Sequence, residues 1–76
     1  MATKAYILIE AGIGKTREVV AVLRGLPGVN SADPVAGPYD VIVVAEAKDA
    51  SALGELVTRK IRAVAGVTRT VTCLAM

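Results

Sequence analysis

The chain has 76 residues, 54% of them hydrophobic and 3% aromatic, with 9 Lys and Arg against 7 Asp and Glu, one Cys and no His. At that length it forms one domain that buries only about 60% of its unfolded surface, so a thin core helped by self-association is expected. A net charge of +2 is too weak a field for nucleic acid as the main partner, and the missing His excludes His-based acid-base catalysis, Cys-His pairs and a plausible zinc cage, so no cofactor is expected.

A single Cys73 rules out an internal disulfide. There is no apolar segment with a cleavage site after Lys4, and no apolar run long enough to cross a bilayer. A cytoplasmic protein is expected.

In chain order, Ala5 to Ile9 is rich in strand formers and closes at Glu10, Gly12 and Gly14, which predicts the first strand. From Lys15 to Arg24 the spacing turns helical, with Val19, Val22, Leu23 and Leu26 on one face and Gly25, Pro27 and Gly28 ending the helix. Val29 to Val35 is more polar and contains Pro34, which suits an edge strand. Gly37 and Pro38 then reverse the chain into an antiparallel hairpin, with Tyr39 and Asp40 at the mouth of the next strand. Val41 to Ala45 has no polar residue, so one face of this strand must meet the helices and the other some further surface. Asp49 or Ser51 caps a second helix carrying Leu53, Leu56, Val57, Ile61 and Val64, which Ala65 and Gly66 stop. Val67 to Leu74 alternates as a last strand.

The two halves of the chain are alike: ILIEA at Ile7 to Ala11 matches VVAEA at Val43 to Ala47, and LRGLPGV at Leu23 to Val29 matches IRAVAGV at Ile61 to Val67. Two such βαβ units interleave, with right-handed crossovers, into an antiparallel sheet of order 4-1-3-2 with both helices on one face. The expected fold is therefore α+β, a ferredoxin-like βαββαβ plait whose bare sheet face needs a partner.

Other chemistry finds little footing. Gly14-Lys15-Thr16 imitates the end of a P-loop, but the leading glycine would fall on Ile9 inside the strand. Glu10 and Glu46 end equivalent strands and read as solvated strand ends that could approach each other. Cys73 reads as a small packing residue, and two tyrosines are too few for an RNA-stacking face. Arg59, Lys60, Arg62 and Arg69 read as a solvated basic face.

Taken together, Gly37-Pro38-Tyr39-Asp40 before an apolar strand, LPGV at Leu26 to Val29, IRAVAGV at Ile61 to Val67 and TRTVT at Thr68 to Thr72 resemble the ligand-binding (RAM) domain of the Lrp/AsnC regulators over essentially the whole chain. Ala65 stands where that family usually has proline, and Gly25 where a helix former is common. The resemblance implies the stand-alone form, an effector module without a DNA-binding domain over residues 1–76. It further implies a homodimer formed through the sheets, assembly into a higher oligomer, and an amino-acid effector between dimers. Carried over, the effector residues are Gly37, Tyr39, Asp40, Thr70 and Thr72. Asp40 suits the ammonium of an α-amino acid, and backbone N–H groups near Gly37 and the threonine hydroxyls suit its carboxylate. Direct duplex binding and a membrane are not expected. The alternatives are a structural partner of full-length Lrp/AsnC regulators that binds no effector, a dimeric α+β barrel enzyme, and the ACT domain, which shares the element order.

Overall fold

Residues 2–76 are described by a computed structural model. The elements run β1 (Thr3–Ala11), α1 (Thr16–Arg24), β2 (Val29–Pro34), β3 (Val41–Ala47), α2 (Ala50–Glu55) with a π-helical continuation (Leu56–Ile61), and β4 (Val67–Leu74). All strand pairs are antiparallel, in the order β2-β3-β1-β4. This is the expected 4-1-3-2 plait read from the other edge.

Ala5, Ile7 and Ile9 of β1 and Val41, Val43 and Ala45 of β3 are fully buried. They alternate along their strands and so share the face on which α1 lays Val19, Val20 and Leu23, and the second helix Leu53, Val57, Ile61 and Val64. Val22 departs from expectation: it is 51% exposed, and Val20 takes its place in the core at 5%. Val19, Val20 and Leu23 centre the buried face, and at 3.6 residues per turn Val22 lies about 110° away from it.

The second helix begins as the sequence suggests, with the Asp49 carboxylate accepting from the Ala52 N–H at 2.8 Å. It then widens, and Arg62 N–H donates to Val57 O at 2.9 Å, an i to i−5 bond. The widening matches the spacing of its core residues. Leu53, Val57 and Ile61 recur every fourth position, where a regular α-helix would drift by about 40° per step, and a wider turn keeps them over the sheet.

The internal repeat is structural as well as textual. Gly28 and Gly66, its equivalent helix-exit glycines, both have positive φ, at 91° and 99°. Their carbonyls accept from Glu46 N–H (2.9 Å) and Gly12 N–H (2.8 Å), each at the end of a central strand. One residue later than the following valine comes a bulge: Asn30 is the extra residue of β2 between Val29 and Ser31, and Thr68 the extra residue of β4 between Val67 and Arg69. A Cβ on Gly66 would sit 2.9 Å from Val19 Cγ2 on a backbone that side chains rarely adopt. Gly66→Ala should accordingly destabilise the fold by about 1–3 kcal/mol in urea titration, through strain at positive φ added to the clash.

The face of the sheet away from the helices is bare. Following the register, Cys73, Tyr6, Val44 and Ser31 form one row across it, and Val71, Leu8, Ile42 and Asp33 the next. Leu8, Ile42, Val44 and Val71 are half-buried and Tyr6 is 42% exposed, with Lys4 Nζ 5.2 Å from the centre of its ring. Cys73 is exposed here rather than packed, because the odd positions of β4 fall on the bare face. A monomer of 7.8 kDa should expose about 4,400 Å²; this one exposes 4797 Å², an excess in keeping with one uncovered sheet face.

Candidate functional site

The Gly37 turn is a hairpin end held from both sides. Val35 N–H donates to Asp40 O at 2.9 Å, which closes the loop, and Asp40 N–H donates to Ile9 O at 2.9 Å, which pins it to β1. Asp40 Oδ2 then accepts from Ala11 N–H at 2.8 Å, 29 positions away in sequence. The carboxylate thus satisfies a strand-end donor that the ladder leaves open, and does not bond within its own turn. Gly37 has φ 156° with open space around it, and Tyr39 is half-buried.

The threonines lie elsewhere. Thr70 stands opposite Ile9 and Thr72 opposite Ile7, which places both on the helix side of β4. β1 runs between the turn and β4, so the two groups are separated by two interstrand spacings, about 10 Å. Thr72 lines a cleft of about 330 Å³ between β4 and α2, with Leu53, Gly54, Val57 and Thr58 among its walls. Thr70 lines a separate cleft of about 310 Å³ with Arg62, Val67, Thr68 and Arg69. Within one protomer, then, Gly37, Tyr39 and Asp40 come together, and Thr70 and Thr72 do not join them.

Glu10 and Glu46 do not meet either. β1 and β3 are antiparallel, so their ends point to opposite ends of the sheet; Glu10 pairs with Arg69 at 3.6 Å and Glu46 Oε1 accepts from Asn30 Nδ2 at 2.6 Å. Among the described residues no three His, Cys, Asp or Glu side chains gather into a metal-binding group, and no helix is long and apolar enough to cross a membrane. Sequence reasoning passed over the Ala11 N–H, whose link to Asp40 only folding creates. Arg62, expected to be solvated, is exposed.

An interleaved pair of βαβ units with helices on one side only defines a ferredoxin-like plait. A family model, the Lrp/AsnC ligand binding domain, matches residues 4–76, and the chain belongs to this family. An uncharacterised helix-turn-helix-type transcriptional regulator of Pyrococcus horikoshii, PH1916, is 34% identical over 79 residues, covering 99% of this chain and 52% of its own. The chain spans about half the length of the curated regulators it matches. Among solved structures, TTHA0845 from Thermus thermophilus superposes with a TM-score of 0.92 at 32% identity, over 97% of this chain and 92% of its own. The transcriptional regulator NMB0573 of Neisseria meningitidis, solved as an L-Met complex, shares the fold at a TM-score of 0.87 and 22% identity, over 97% of this chain and 49% of its own.

Proposed function

We propose that the protein is an amino-acid-sensing module of transcriptional regulation that works as an oligomer and catalyses no reaction. Two copies pair through their bare sheet faces, and the dimers assemble further with the effector between them. The observation that carries this reading is the pair of apolar rows left uncovered on the sheet of an Lrp/AsnC ligand binding domain. The L-Met bound by the Neisseria regulator of the same fold supports an amino acid as the effector class.

The separation of the turn from the threonines fits a site completed by a neighbouring copy. Gly37, Tyr39 and Asp40 of one dimer would face Thr70 and Thr72 of the next. A carboxylate has acceptor capacity on both oxygens, so Asp40 can hold Ala11 N–H through Oδ2 and receive a ligand ammonium on its other oxygen. Partners of this chain would be further copies of itself or the longer regulators it resembles, and these residues make no sequence-specific contact with duplex DNA.

Asp40 tests the site. Asp40→Ala removes both the Ala11 tether and the ammonium acceptor, and should lower stability by about 1–3 kcal/mol as well as weaken the effector. Asp40→Asn keeps an acceptor for Ala11 and loses the charge. It should retain most of the melting temperature while weakening an amino acid found by thermal-shift screening about tenfold or more. Equal affinity in the wild type and both variants would remove Asp40 from the site.

A further inference from the structure

The internal repeat makes Arg24 and Arg62 equivalent, each following the last buried residue of its helix. Arg24 is held by β2: its Nε donates to Ala32 O at 2.8 Å, and its Nη2 lies 3.6 Å from Asp33 Oδ1. In the second half Thr70 stands at the position of Ala32 and Val71 at that of Asp33. Arg62 therefore reaches a place built like Arg24's but without the carboxylate. It is exposed and forms no ion pair with the described residues.

The edge beneath Arg62 carries unpaired backbone groups. Ala75 N–H donates to Lys4 O at 2.8 Å, and the register runs unbroken from there to Arg69 opposite Glu10. Alternation then turns the N–H and C=O groups of Arg69, Val71 and Cys73 toward β1 and those of Thr70 and Thr72 toward the free edge. Thr68 is the bulged residue and is left out of the pairing, with its hydroxyl on Glu10 O at 3.0 Å. Arg62, Val67, Thr68, Arg69 and Thr70 line a cleft of about 310 Å³, at the small end of the range for ligand sites, about 300–1,000 Å³. No acid among the described residues lines the cleft, and Arg69 on its wall is paired with Glu10 at 3.6 Å.

We propose that this cleft binds a small oxyanion, the carboxylate or phosphate group of a metabolite, which supplies to Arg62 the negative charge that Asp33 supplies to Arg24. The guanidinium supplies a planar fork of donors, and the edge N–H and hydroxyl of Thr70 complete the cradle. The cleft shares Thr70 with the proposed effector site but is defined by Arg62, which that reading does not use, and it needs no ammonium partner.

The test is a titration of the isotopically labelled protein, in whatever assembly it forms, with succinate and separately with inorganic phosphate at constant ionic strength, with sodium chloride as control. Both anions lack an ammonium, and Arg62→Ala leaves Asp40 intact, so loss of anion binding at Arg62 is distinguishable from loss of amino-acid binding at Asp40. Saturable shifts of the Thr68 and Thr70 amides are expected with at least one of them. Arg62→Ala should raise the apparent Kd about tenfold or more, Arg62→Lys should retain part of the affinity, and Arg24→Ala should leave it unchanged. Succinate alone would assign the cleft to carboxylates and phosphate alone to phosphates. Shifts that chloride reproduces, that do not saturate, or that survive Arg62→Ala would overturn the proposal, as would a melting temperature lowered by Arg62→Ala with anion affinity intact, which would leave Arg62 a helix-end residue.

Discussion

Replacing Ile7 with alanine should destabilise the protein by about 2–5 kcal/mol, the cost of deleting a large aliphatic side chain where the surroundings close poorly. Ile7 is fully buried in β1, a central strand, and faces the core shared by both helices. A fold of 76 residues has only about 4–11 kcal/mol of total stability at ordinary values per residue, so the variant should be partly unfolded near body temperature. Ile13→Ala is the matched control. Ile13 is wholly exposed in the loop before α1, and its loss should change stability by no more than about 0.5 kcal/mol. Urea midpoints measured at one protomer concentration compare the two, since association would otherwise add to apparent stability. Equal midpoints would contradict the core assignment.

The second large effect is on assembly. Ile42→Arg should convert a dimer or larger species into monomers at micromolar concentration while leaving the circular dichroism unchanged. Ile42 stands between Leu8 and Asp33 in the middle of the bare face, half-buried in the protomer. An arginine there can reach solvent in a monomer, but a paired sheet would bury its charge without a partner, at several kcal/mol. Val22→Arg, on the exposed side of α1, should leave the sheet-paired dimer intact. Sedimentation velocity separates the outcomes; an unaltered profile for Ile42→Arg would place the interface elsewhere.

Much of the fold was legible because local signals agreed with the global arrangement. The first strand stopped at glycine, Pro34 marked the edge, and the apolar run of β3 announced a strand apolar on both faces. The departures come from longer-range causes. β1 extends to Thr3 and Ala11, since partner strands, not composition, decide how far a ladder runs. The second helix widens after Glu55 to hold a four-residue spacing over the sheet, and Val22 turns outward because the sheet selects Val20.

The site was legible only in part. The turn chemistry at Gly37 and Asp40 is local and could be read, whereas the bond from Asp40 to Ala11 joins positions that only folding brings together. Thr70 and Thr72 join the turn only through what the resemblance implies, and in the protomer β1 keeps the two groups apart. Arg62 is the solvated cation the sequence suggests, and only comparison with Arg24, which reaches Asp33, singles it out.

The central claim, that this domain senses an amino acid, is tested most directly by isothermal titration of the wild-type protein with each of the common amino acids. At least one should bind saturably, and at about 100 times its dissociation constant it should stabilise the fold by roughly 2.7 kcal/mol. Absence of saturable heat from every amino acid at millimolar concentration, with the assembly intact, would contradict the account.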